Sequence, residues 1–153
     1  MGRAEAFREV GEAIGSRRRE RPAYSCVSGV PSALKLTFMH LIIWEFAVRE
    51  EHLEDFIRAY DANGDWAKLF RLAEGYLGTQ LLRSSQNPNV FPTVDFLTID
   101  FLTIDRWESA ACFEKFQQRF ATEYKKLDAR FEGYTLSERK VGVFQDEPGI
   151  LSP

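Results

Sequence analysis

Cysteine and histidine are scarce: the 153-residue chain holds two of each, Cys26, Cys112, His40 and His52. Two thiols make no disulfide framework, and two histidines at these spacings cannot complete a zinc cluster, so the expectation for Cys112 is a buried free thiol. Long apolar runs are missing too. None approaches the roughly 18–20 residues of a membrane-spanning helix, and the start lacks the apolar stretch and cleavage site of a secretory signal. The expected setting is the cytoplasm, with no membrane partner. There is no phosphate loop, nucleophile elbow or dinucleotide fingerprint. Asp61, Asn63 and Asp65 open like a calcium loop, but Gly64 is misplaced and the twelfth position is Leu72 rather than a glutamate. Positive charge is also short. The net charge is −3, and beyond residue 38 there are 13 Lys+Arg against 19 Asp+Glu. An acidic body whose basic cluster is confined to RRRER at 17–21 does not attract a nucleic-acid backbone.

What is present is a mix of 44% hydrophobic and 28% charged residues, enough for one globular domain with a sizeable core. Residues 1–38 stand apart as an N-terminal extension. Ala4, Phe7, Val10 and Ile14 have helical spacing, but the stripe is too narrow to make a core, and the interspersed glutamates argue against a mitochondrial presequence. Met39 directly precedes the first strong strand and is a candidate native start. Residues 146–153 form a polar, Pro-ended tail.

Between them, residues 39–145 are orderly. HLIIWEFAV at 40–48 alternates as a strand with Ile42, Trp44, Phe46 and Val48 on one face and Leu41, Ile43 and Ala47 on the other. Both faces are apolar, so both need cover. Leu53, Phe56, Ile57 and Tyr60 mark a helix over 50–61, and Trp66, Leu69, Phe70 and Ala73 a second, short one that Gly75 ends. YLGTQLLR at 76–83 is the second strand. Ser109 is placed to cap a long helix with Phe113, Phe116, Phe120, Tyr124, Leu127 and Phe131 on one seam. LSERKVGVF at 136–144 is the last strand. This order predicts an α+β, ferredoxin-like split βαβ subunit: a four-stranded antiparallel sheet with helices on one face. The uncovered face calls for a second copy of the chain, hence a homodimer.

HLIIWEFAVREEHLEDFIRAY, GDWAKLF, GYLGTQLLR, FLTIDRWESAACFEKF and the terminal VGVF together resemble the antibiotic biosynthesis monooxygenase domain family of dimeric α/β barrels. The most specific pieces are Trp107-Glu108-Ser109 with Phe113 following, and the Gly-Tyr-Leu-Gly strand opening. The resemblance implies a ligand cavity between sheet and helices, and a monooxygenase that oxidises a small phenolic or polycyclic aromatic to a quinone with dioxygen. It implies no cofactor, neither metal nor flavin, because a deprotonated polyphenol itself reduces dioxygen. Members of the haem-degrading branch carry an asparagine on the first strand and a late histidine. This chain has Trp44 near the first position and no histidine after His52.

Several side chains are of types able to carry chemistry. Trp107 matches the family's pocket tryptophan, with Thr103, Asp105 and Phe113 as its neighbours. His40 shares a strand face with Trp44 and titrates near neutrality, so it is the candidate base, although a histidine capping a strand end in water satisfies the pattern equally. Trp44 and Trp66 are candidate walls of an aromatic slot, against the alternative that they fill the core. Tyr76 and Tyr124 could hydrogen-bond a phenolic oxygen. His52 lies off its helix's apolar stripe. Glu45 needs a partner such as Arg106 or Arg139 if buried, and Asp105 reads either as an ion-pair member or as a perturbed carboxylate base. Two non-catalytic readings stay open: a module binding a small apolar ligand or haem, and a bare dimerisation module.

Residues 91–105, FPTVDFLTIDFLTID, write one pentapeptide three times. Five is odd, so successive copies in one strand turn like side chains to opposite faces, and fifteen residues exceed an ordinary strand. The expectation is a small tandem duplication in which the last copy is the core strand and 91–100 a lengthened, slip-prone hairpin connection.

Overall fold

The computed structural model describes residues 38–86, 89–91 and 96–147. The helical stretch at 4–14, the basic run at 17–21, Cys26 and residues 148–153 lie outside the described residues.

The chain begins with strand β1, His40–Arg49, whose alternation sends Ile42, Trp44, Phe46 and Val48 into the core. A 3-10 turn at Glu50–His52 leads into helix α1, Leu53–Tyr60, and α2, Asp65–Phe70, follows after a short turn. Strand β2 is Tyr76–Arg83, β3 is the short Asn89–Phe91, and β4 is Phe96–Trp107. Helices α3, Ala110–Arg119, and α4, Ala121–Phe131, precede β5, Thr135–Gln145. The antiparallel order β2-β4-β1-β5 is that of the ferredoxin-like split βαβ, with β3 added beside β4.

The helices cover one sheet face, and the core between them is largely aromatic. Phe46 meets Phe56 and Tyr60 at 5.3 and 5.1 Å between ring centroids, and Phe56 stacks on Tyr60 at 4.1 Å. Each such pair contributes about 0.5–1.5 kcal/mol beyond its buried area. Phe101 on β4 joins Phe56 at 5.2 Å, tying sheet to helix.

Three expectations are corrected. The long C-terminal helix is two, broken at Phe120, where φ is −112° and ψ 22°. Neither Gly nor Pro causes the break. Bending there seats Phe116 against Phe70 and Trp107, both at 5.2 Å, while Tyr124 reaches Trp66 at 4.9 Å. Cys112, 2% exposed, is disulfide-bonded rather than a free thiol. The middle copy of the pentapeptide is strand, not connection. β4 runs twelve residues, and Thr98, Ile99 and Asp100 pair with Arg49, Val48 and Ala47 of β1. β1 is long enough to offer ladder hydrogen bonds to both copies, and β3 takes up the far edge where β2 ends. Side chains alternate along β4 across the two copies: Phe101, Thr103, Asp105 and Trp107 are core-facing, and Asp100 lies on the opposite face.

Candidate functional site

Three strand ends meet at one edge of the helix-covered face. β1 starts at His40, β4 ends at Trp107 and β2 starts at Tyr76, and register sets them in a row, His40 beside Trp107 beside Tyr76. Trp107 is completely buried, ringed by Tyr76, Phe113, Phe116 and Phe70 at 5.2–5.7 Å. Two local devices hold this corner. Ser109 caps α3 by accepting the Cys112 amide at 3.2 Å, which fixes the turn that presents Phe113. The Glu108 amide donates to the Gly75 carbonyl at 2.8 Å, binding the end of β4 to the start of β2. Gly75 has φ 85°, and a Cβ there would lie 2.5 Å from Cys112 Sγ, so both conformation and space demand glycine.

The next row inward is Ile42, Asp105 and Thr79. Asp105 is only 4% exposed, and its Oδ1 accepts the Thr79 hydroxyl at 2.7 Å. Thr79 Oγ1 lies in turn 2.7 Å from Tyr76 Oη. In a regular strand, residues three apart face opposite ways. Here a β-bulge between Tyr76 and Gly78 inserts one extra residue and brings Tyr76 and Thr79 to the same face. Gly78, at φ 151°, supplies the backbone conformation the bulge needs.

The electrostatics differ along the first row. Burial, and secondarily the nearby Lys140 charge, push the His40 pKa below its ordinary value. The imidazole is thus neutral over more of the physiological range, as a base must be. Burial raises the Tyr76 pKa; the Thr79 hydrogen bond opposes this, Asp105 reinforces it and Arg71 opposes it. The indole Nε1 of Trp107 is buried and has no hydrogen-bond partner among the described residues. A donor left so costs about 1–3 kcal/mol.

His40, Trp107, Tyr76 and Phe113 are therefore brought together, with His40 and Phe113 rings 6.0 Å apart. Trp44 sits two rows deeper, opposite Thr103. Trp66 and Tyr124 pair with each other, and Phe70 and Phe116 stand between them and Trp107. His52 stacks on Tyr134 at 4.9 Å, and Glu45 pairs with Arg139, 3.0 Å from Oε2 to Nε. Arg106 donates to Gln80 instead. Thr79 escaped the sequence reading because strict alternation places it away from Tyr76; a glycine inside a strand was the available signal of a bulge. Among the described residues no group of three or more His, Cys, Asp or Glu could hold a metal ion. None of the described helices is long and apolar enough to cross a membrane.

No protein-family model matches the sequence, and no curated protein does. Solved structures do resemble it. One is a crystal structure from Bacillus cereus of a protein provisionally named as an antibiotic biosynthesis monooxygenase, with 16% identity and a TM-score of 0.44. The match covers 75% of this chain and 99% of that one.

Proposed function

We propose that the protein is a cofactor-independent monooxygenase that oxidises a small phenolic or polycyclic aromatic, using dioxygen, at the corner where β1, β2 and β4 meet. The observation that carries the reading is the unpartnered, fully buried indole N–H of Trp107 in an aromatic wall flanked by His40 and Tyr76. Such a site offers the half-buried rings of Tyr76 and Phe113 to stack on, one stranded donor behind them for a substrate oxyanion, and a neutral base. The net reaction turns a ring CH2 into a carbonyl, the second oxygen atom leaving as water with the two hydrogens. His40 accepts the proton from the reacting ring carbon. Trp107 donates to the phenolate oxygen as charge builds there. Phe113 and Tyr76 hold the ring, and Trp44, Trp66 and Tyr124 form the packed wall behind it.

The chain works as a homodimer in this proposal. The sheet face away from the helices carries Leu41, Ile43, Leu102 and Ile104, half-buried, with Leu82 39% and Phe144 44% exposed. A second sheet laid on it would remove that apolar surface from water.

Oxygen uptake with a panel of anthrones, naphthols and hydroquinones tests the activity. Turnover that falls on replacing His40 or Trp107 is expected. Absence of uptake across the panel, or uptake indifferent to both replacements, sinks the reading.

A further inference from the structure

The buried carboxylate of Asp105 has no part in the roles above, yet it is wired to the corner. A hydroxyl carries one proton, and that of Thr79 is donated to Asp105 Oδ1. In the 2.7 Å contact between Thr79 Oγ1 and Tyr76 Oη, Tyr76 must therefore be the donor. The chain has a single sense: Tyr76 O–H to Thr79 O–H to the Asp105 carboxylate. Its inner end is closed off from water, Asp105 and Thr79 being 4% and 8% exposed, while Tyr76 at its outer end is only half-buried beside Trp107.

Resting on the phenol-oxidising reading of this corner, we propose that Tyr76, Thr79 and Asp105 form a proton relay that ionises the substrate's phenolic hydroxyl. The substrate O–H proton passes to Tyr76 Oη as the Tyr76 proton passes to Thr79 Oγ1 and the Thr79 proton to Asp105 Oδ1. One O–H bond breaks and one forms at each hydroxyl, and the carboxylate ends as the neutral acid. The bound substrate becomes a phenolate, its charge met by the Trp107 N–H. No electron moves in this step. The bulge at Gly78 is what lets two residues three apart share the face on which the relay runs. His40 is the competing acceptor, and Lys140 and Arg71 are the cations whose fields reach His40 and Tyr76.

The test uses 4-nitrophenol, whose phenolate absorbs visible light and whose phenol does not, at a pH below the free probe's pKa. Bound to the wild-type protein it should show the phenolate band. Thr79→Val, nearly the same shape without a hydroxyl, should bind the probe with the ionised fraction reduced about tenfold or more. Thr79→Ser should keep the band, His40→Gln should leave it in place, and Asp105→Asn should abolish it. If Asp105→Asn does not fold, the contrast between Thr79→Val and Thr79→Ser decides. A band unchanged in Thr79→Val, or no binding of 4-nitrophenol by the wild type, overturns the relay. Oxygen uptake is read separately. Uptake that persists with a Thr79-indifferent band refutes the relay alone, whereas a Thr79-dependent band without uptake refutes the oxygenase reading alone.

Discussion

Removing residues 91–100 joins Val90 directly to Phe101 and asks whether the extra copies are structural. With FLTIDRW at 101–107 held by its core contacts, Val90 and Asn89 would fall at the strand positions of Asp100 and Ile99, and Pro88 at that of Thr98. Ile99 lies opposite the fully buried Val48 and packs against the core. Losing its half-buried side chain costs about 1–2 kcal/mol, judged from roughly 1.5–3 for complete burial. An asparagine amide facing Val48 adds about 1 kcal/mol of desolvation. A proline opposite Arg49 cannot donate to the ladder, worth about 0.5–1.5 kcal/mol. The total, about 2.5–4.5 kcal/mol, is a large share of the roughly 5–15 kcal/mol by which a domain is stable. Removing only 96–100 should be milder. FPTVD then occupies the vacated positions with Thr, Val and Asp in place of Thr, Ile and Asp, and Ile-to-Val costs about 0.5–1.5 kcal/mol. Urea unfolding followed by the fluorescence of the buried tryptophans reads both variants against the parent. A parent-like or higher midpoint for the 91–100 deletion would falsify the argument that the middle copy is built into the sheet.

Gly75→Ala should destabilise by about 2–4 kcal/mol, combining the left-handed backbone with the collision at Cys112, and thermal or urea unfolding would show it. Trp107→Phe keeps a ring but removes the indole N–H; kcat should fall on the order of 10–100-fold, the loss of one hydrogen bond to a charged group, while the smaller ring in this fully buried place also lowers the melting temperature. For His40, burial lowers the folded-state pKa beneath the unfolded value of about 6.5. The unfolded chain therefore takes up the proton first, so this contribution to stability is present above that value and lost as pH falls through the folded pKa. In His40→Gln, stability plotted against pH should be flatter over that window. Ile43→Asp on the open sheet face should shift the protein towards monomer in light scattering while the far-UV spectrum stays native-like.

Much of the fold was legible because alternation and helical spacing are local properties. HLIIWEFAV and YLGTQLLR announce β1 and β2 within a residue, and Ser109 signals its own cap because a short polar side chain before an apolar run has few other uses. That Phe101, Asp105 and Trp107 share one face also followed from parity alone. The length of β4 did not, since a strand extends as far as a partner offers hydrogen bonds, and that partner is β1, some fifty residues away in sequence. Nor did the break at Phe120, imposed by rings on two helices fitting one sheet, or the pairing of Cys112. The corner itself divides the same way. His40, Tyr76 and Trp107 were each visible as residue types able to bind or titrate, but their row exists because antiparallel register aligns three strand ends. Thr79 joins Tyr76 and Asp105 only through the bulge at Gly78, a shift of one residue that alternation cannot carry and that the ladder with β4 decides.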